Sequence, residues 1–346
     1  MRLLGTDKPV ADTIDFVVTW VDGNDASWRA QKDRYSRKVR GYGLSDDRFR
    51  DWDLMRYWFR AVESYAPWVR KVFFVTWGHL PPWLDVAHPK LRVVRHEEYI
   101  PSAYLPTFNS NVIELNLHRI EDLRERFVLF NDDMFLLKPT RPQDFFRRGL
   151  PCDEMVQNAL APTVKRNEFT ITNFNNMGLI NDHFSKRVVM RDLWKSFNPR
   201  YGLGNLRTLM LLMWPRFSGF YNPHTPVSHL KSTFETVWEE EPEILDAACR
   251  NKFRNKADVS HWLVRYWNLC TGRFAPRSTK FGVVYDMSHS VDKACACVRH
   301  HSKTSVCIND SVHEFDFPAT RKCVRDAFEE ILPTPCAFEA DGGEVA

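Results

Sequence analysis

The sequence predicts an α/β protein built on a mostly parallel sheet. Two strand-like runs that each end on carboxylates carry that prediction, together with an alternation of such runs and helix-patterned stretches between residues 14 and 135. The stronger run is Phe127-Val128-Leu129-Phe130-Asn131-Asp132-Asp133-Met134-Phe135. Its apolar β-formers stop at two adjacent acids, the pattern of a buried strand delivering carboxylates to its carboxyl end. In open α/β sheets the crevice outside those ends is where ligands sit. Asp132 and Asp133 repel each other unless a cation stands near them, and hard oxygen ligands of this kind suit Mg²⁺ or Mn²⁺. From these residues alone, an Asn-Asp turn closing a strand reads slightly better than a metal site.

In chain order, Ile14 to Trp20 is the first strand, and Val21-Asp22-Gly23-Asn24-Asp25 repeats the pattern of acids after a strand. The two ends can converge on one crevice if their strands are near each other. Residues 28 to 50 are dense in Arg and Lys and read as a solvated helix or loop. Leu54, Trp58, Ala61, Val62 and Tyr65 then share one helical face, with Asp51 or Asp53 near the start and Pro67 past the end. Arg56 and Arg60 lie on one line of that helix, as an exposed basic face or as phosphate contacts.

Lys71 to Thr76 and Leu91 to Val94 are the next strands. Phe108 to Ile120 is a helix capped by Asn109 or Ser110, which makes Glu114 and His118 i,i+4 neighbours. Past Pro139 the pattern turns helical, at Met190 to Phe197, Leu206 to Trp214, Lys231 to Glu239 and Val259 to Leu269. A polar loop between them collects His224, His229 and Lys231, where a histidine serves as base, metal ligand or plain solvated side chain. An amphipathic helix near Arg321 to Leu332 closes the chain. Three parts are expected: a first part of the α/β core over 1–139, a helix-rich part over 140–283, and a segment over 284–346 that packs back on the core.

Composition narrows the function classes. The 346 residues are 44% hydrophobic, with 12 Trp and 25 Phe, enough for a large core and unlike a disordered chain. With 48 basic and 44 acidic residues the formal charge is +4, too mixed to argue for a nucleic-acid partner. Met1 to Lys8 lacks the apolar run of a signal peptide, and no stretch reaches the roughly 18 apolar residues of a membrane span, so a cytoplasmic protein is expected. Leu209 to Trp214, flanked by Arg207 and Arg216, reads as a buried helix in preference to a membrane-surface one. The eight cysteines read as free thiols: Cys295-Ala-Cys297 with His300 and His301 lacks the second pair a zinc site needs.

Several blocks together resemble the Stealth family, which includes bacterial capsular and exopolysaccharide phosphotransferases and the α/β subunit precursor of the lysosomal-enzyme GlcNAc-1-phosphotransferase. The first is Ile14 to Asp25. The second runs from Arg48 through Leu54-Met55-Arg56-Tyr57, Ala66 to Lys71, Leu105 to Ser110 and His118-Arg119-Ile120 to Asn131-Asp132-Asp133-Met134-Phe135. The third is around His224-Thr225-Pro226 and Phe253 to Val259, and the fourth around Val306-Cys307-Ile308-Asn309-Asp310 and Leu332-Pro333. Trp77-Gly78-His79 departs from the family pattern, and Asp22 stands where the animal branch has Asn.

The resemblance implies a glycosyltransferase-A-like, Rossmann-type fold. It also implies transfer of a sugar 1-phosphate from a UDP-linked sugar, such as UDP-GlcNAc, to a glycan hydroxyl, with release of nucleoside monophosphate. Asp132 and Asp133 would hold Mg²⁺ or Mn²⁺. His224, Arg254, Asp133 and Asp25 would be catalytic, and Trp20, Asp22, Gly23, Asn24, Arg56, Arg60, Asn109, His118 and Arg119 would line the donor site. The acceptor would be a growing glycan, lipid-linked or free, met at the inner face of a bacterial plasma membrane with peripheral membrane association. An ordinary metal-dependent glycosyltransferase and a non-catalytic glycan-binding module are the alternatives.

Overall fold

A computed structural model describes residues 14–37, 50–161, 168–310 and 315–340. Its strands are β1 (Ile14–Thr19), β2 (Val72–Thr76), β3 (Leu91–Arg95), β4 (Arg126–Asn131), β5 (Met134–Leu136), β6 (Phe146–Arg147), β7 (Leu150–Asp153), β8 (Val227–Leu230), β9 (Ala275–Pro276), β10 (Gly282–Asp286) and β11 (Ser305–Asn309). The main sheet has the order β3-β2-β1-β4-β8. Its first four strands are parallel and β8 is an antiparallel edge. This is the mostly parallel α/β class that the alternation predicts.

Successive side chains of a strand point to opposite faces, and here both faces are covered. Phe16, Phe74, Val128 and Phe130 pack on one side with the Met55–Tyr65 helix, while Val17, Phe73, Phe127 and Leu129 pack on the other with the His261–Cys270 helix. Around the main sheet sit β10-β11-β5 and β6-β7-β9. The strand β8, from the 140–283 part, completes the main sheet, and β11, from the 284–346 part, pairs with β5. The pairing of β11 with β5 is a C-terminal segment packing back on the core.

Several local expectations change. Leu54, not Asp51 or Asp53, precedes the Met55–Tyr65 helix, and the Asp51 carboxylate instead accepts the Asp53 N–H at 2.8 Å. The stretch from Phe108 to Ile120 breaks into the Ser110–Leu115 helix and a separate 3₁₀ turn at Leu117–Arg119, so Glu114 and His118 face different neighbours. His229 is not a loop residue: it is wholly buried on β8, 3.2 Å from the His261 ring. The longest helix of the helix-rich part, Glu168–His183, has no strong apolar stripe and is not among the expected helices. Leu209 to Trp214, expected inside, stands mostly exposed. Among the described residues no helix is long and apolar enough to cross a membrane.

Candidate functional site

Strand register brings the site together. β4 ends at Asn131, and a tight turn carries Asp132 and Asp133 into β5. Val227 of β8 faces Leu129, so His224, three residues earlier on an antiparallel strand, arrives beside the acids three residues after Leu129. On the other side Cys307 of β11 faces Met134, and the Ile308 N–H donates to the Asp133 carbonyl at 2.8 Å. The candidate ligand atoms of Asp133, His224 and Cys307 all lie within 4.8 Å of one another. His224 has φ +44°, an uncommon backbone for a non-glycine residue and a conformation that concentrates at functional sites.

The three side chains form a directed chain. The Cys307 thiol donates to Asp133 Oδ2 at 3.2 Å and lies 3.3 Å from His224 Nδ1. Burial first, then Asp133, holds that thiol well above the usual thiol range, so it keeps its proton. His224 Nδ1 is within hydrogen-bond reach of the same sulfur, so Cys307 links His224 to Asp133. Among the described residues, nothing donates a hydrogen bond to the buried Asp133 Oδ1. An orphaned carboxylate oxygen costs free energy unless something positive meets it. Asp133 thus fits a divalent cation, with Asp132 next to it, and a protonated Cys307 orients Asp133 without acting as a soft ligand.

More acids converge there. Asp132 is exposed at the crevice mouth, with Asp133 and Asp51 among the charges around it. Crowding by protein, then Asp133 and Asp51, pushes its pKa up to about 8. Asp51 is also raised, by burial and then by Asp53 and Asp22. The Asp22 turn is fixed in place: its N–H donates to His79 Nε2 at 2.7 Å, and its carboxylate accepts the Asn24 N–H at 2.8 Å. Arg29 fastens the same turn through the Gly23 carbonyl and the Asn24 side chain. Asp25 caps the Ala26–Ser36 helix by accepting the Trp28 N–H at 2.7 Å. Trp20 stacks on Phe74 with ring centroids 5.5 Å apart.

Arg254 reaches the crevice from the loop before the His261–Cys270 helix. It donates to Ser110 Oγ at 2.8 Å, and its charge opposes the burial that raises Glu114 to about 7. Glu114 in turn accepts from Asn131 at 3.3 Å, which ties this region to the end of β4. The loop is held by buried Asp258, which accepts from Asn109, Asn111, Asn251 and the Asn255 N–H. Stacking of Phe108 on Phe253, with Trp28 at its edge, packs the Arg254 loop against the helix that follows the Asp22 turn.

Five residues expected to line the donor site are engaged elsewhere. Asn109 is fully buried, capping the Ser110–Leu115 helix and donating to Asp258 at 2.7 Å. Arg60 is buried and clasps the Glu339 carboxylate with two nitrogens, while Arg56 lies over Trp83 and 3.3 Å from Glu339. His118 and Arg119 sit against Phe234 and Trp238. Those rings belong to the helix that follows β8, whose last residue faces the first residue of β4, so this pair is at the opposite end of the sheet from Asp132. Cys307 and Asp51 were not foreseen as site residues. For Cys307 the Cys-Ile-Asn-Asp run of the fourth block was the available signal.

Comparison with known proteins agrees with the sequence blocks. Family models described as Stealth protein conserved region 1 and conserved region 2 match residues 12–40 and 48–152. The chain is 44% identical over 331 residues to the capsular polysaccharide phosphotransferase WcwK of Streptococcus pneumoniae, covering 95% of this chain and 98% of that protein. The chain belongs to the Stealth family. This Stealth protein is also 41% identical to the exopolysaccharide phosphotransferase cps2G of Lactiplantibacillus plantarum, over 94% of its own length and 96% of the relative. To the receptor polysaccharide phosphotransferase WefC of Streptococcus gordonii it is 37% identical, over 95% and 100%. Relatives of this identity and coverage make it a phosphotransferase. Among solved structures, an active-site mutant of LgtC aligns with TM-score 0.37 at 9% identity, covering 90% of this Stealth protein and 95% of that chain.

Proposed function

We propose that the protein transfers a sugar 1-phosphate from a nucleotide diphosphate sugar, UDP-GlcNAc being the first candidate, to a hydroxyl of a growing surface polysaccharide. Nucleoside monophosphate is the other product. The observation that carries the reading is the meeting of His224, Cys307 and the orphaned Asp133 oxygen at the carboxyl end of β4, in a chain whose relatives are named polysaccharide phosphotransferases. Attack of the acceptor oxygen on the β-phosphorus breaks the bond to the bridging oxygen, which leaves with the nucleoside monophosphate. A bound Mg²⁺ or Mn²⁺, held by Asp133 and Asp132, would supply charge for the diphosphate oxygens.

The chain's own groups do the rest. His224, linked to Asp133 through Cys307, takes the acceptor proton. Arg254 presents a planar fork to the phosphoryl oxygens as their charge grows. Asp22, Gly23, Asn24 and Trp20 form the pinned turn against which the nucleotide lies. The test is donor labelled with ³²P at the β position. Label in the polymer with unlabelled UMP supports phosphotransfer; label retained in UDP refutes it and leaves ordinary glycosyl transfer.

A further inference from the structure

We propose that the segment from Lys186 to Arg216 docks on an anionic lipid bilayer. Among the described residues, ten of the sixteen exposed large hydrophobic side chains fall between Val188 and Trp214. Leu203 and Met213 are each 89% exposed, and Trp194 and Trp214 are 65% and 59% exposed. Single apolar side chains are scattered over any protein surface, but a concentration of this kind marks an interaction site.

The platform is rigid on its inner side. Short helices at Lys186–Val189, Leu193–Ser196 and Gly204–Met210 are pinned by buried Met190, Ser196, Tyr201 and Thr208. Lys186 Nζ donates to the Leu211 carbonyl at 2.5 Å, tying the first turn to the last. The Tyr201 hydroxyl donates to the Lys195 carbonyl, and the Gln157 N–H donates to Thr208 Oγ1. Gly204 lies so close to Val156 that a Cβ there would come within 2.8 Å of it. The outward apolar side chains are therefore presented by a packed scaffold.

Charge selects the partner. Within the segment Arg187, Arg191, Arg200, Arg207 and Arg216 are exposed, against a single acid, Asp192, whose carboxylate caps the Lys195 N–H. Leu, Met and Trp flanked by arginine is the chemistry of the headgroup boundary, where apolar side chains enter the acyl region and cations meet lipid phosphate. From Arg216 the chain passes inward to Asn222-Pro223 and reaches His224 eight residues on (224 − 216 = 8). Docking by this face thus places the bilayer one short run of chain from the candidate base. The docking stands or falls independently of the donor chemistry.

The test is sedimentation of the full chain with vesicles of equal parts phosphatidylglycerol and phosphatidylcholine, and with phosphatidylcholine alone. Wild type should bind the anionic vesicles and lose binding as salt rises. Each of Arg187→Gln, Arg191→Gln and Arg216→Gln should lower partition about five-fold, and the three together about a hundred-fold. Leu203→Gln with Met213→Gln should lower it by roughly ten-fold or more. Near-UV circular dichroism confirms that the variants are folded. Failure of wild type to bind, or equal binding by folded variants, overturns the proposal. So does a wild-type dimer in sedimentation velocity that Leu203→Gln with Met213→Gln turns into monomer, which would assign the face to a second copy of the chain.

Discussion

Gly282→Ala should disable His224 without touching it. A Cβ at Gly282 would stand 2.4 Å from Thr225 Cγ2, 3.1 Å from the Ser305 carbonyl and 3.3 Å from Thr225 Cβ, where ordinary contact begins at 3.4 Å. Thr225 must therefore retreat by 3.4 − 2.4 = 1.0 Å. It is 1% exposed and cannot rotate into open space, so the displacement passes to the backbone of its neighbour His224, whose Nδ1 is only 3.3 Å from Cys307. Overpacking of this kind costs about 1–3 kcal/mol of stability. A shift of about 1 Å in a reacting group costs on the order of 10² in rate. Turnover of a nucleotide-sugar donor should fall by that order, while donor affinity by calorimetry stays near wild type. Thr225→Ser removes the offending methyl, so the double variant should recover most of the loss, a coupling that a double-mutant cycle reads directly. Turnover within about two-fold of wild type in Gly282→Ala would refute the argument, since it predicts a loss near 10²; so would a double variant no better than the single one.

Cys307→Ser keeps a donor to Asp133 and should retain most activity, whereas Cys307→Ala breaks the chain to His224 and should lower turnover roughly 10- to 100-fold; kcat and donor KM measured separately check this. With crowding, then Asp133 and Asp51, pushing the Asp132 carboxyl up to about 8, a proton competes with the cation there, so Mg²⁺ or Mn²⁺ affinity by calorimetry should rise with pH toward 8 and release protons to the buffer, and Asp132→Asn should flatten that rise. Burial, then Arg119, depresses His118 from 6.5 to about 3, so the native state resists the proton that the unfolded chain accepts. Its neutral form stabilises the fold above pH 6.5, and that contribution is lost as pH falls from 6.5 toward 3. The stability of His118→Phe relative to wild type should accordingly improve by about 1.4 kcal/mol per pH unit below that point in urea unfolding. Arg60→Ala removes the two-nitrogen clasp on Glu339, which keeps Arg56 at 3.3 Å, and should cost about 1.5–3 kcal/mol, visible as a lower Tm.

The legible parts of the fold and site were those written in local pattern. A run of four apolar residues that leads through Asn131 to two acids announces a buried strand and the carboxylates at its end within nine positions, and β1, β2, β3 and β4 were all legible as apolar runs of β-formers. What stayed hidden depends on contacts between distant segments. The strand β8 is four residues long and carries Ser228 and His229, so it shows no apolar run; its histidine is tolerated inside because His261 and aromatic rings surround it. Cys307 joins Asp133 across 174 positions and looks in the sequence like one more apolar strand residue. Arg56 and Arg60 show the opposite error. Their spacing is that of a basic face, but Glu339, far along the chain, claims both.

That last pairing also bears on how the site is held. The clasp of Arg60 on Glu339, together with its bonds to the Leu332 and Pro333 carbonyls, fixes the chain just beyond the Phe317–Ile331 helix. Phe328 of that helix packs on Phe135 at 4.7 Å, the second residue of β5, and Phe135 follows Asp133 by two positions. On the same side β11 holds Asp133 through the Ile308 N–H and the Cys307 thiol. An arginine expected to bind phosphate therefore contributes by closing the C-terminal part over the strand that bears the acids. The carboxylates come from the early strands, but their orientation is set by residues after 300. Neither part of the chain contains the site alone, because the turn after β4 supplies the carboxylates, the loop before β8 brings His224, and β11 directs its hydrogen bonds to Asp133, leaving one Asp133 oxygen without a donor among the described residues.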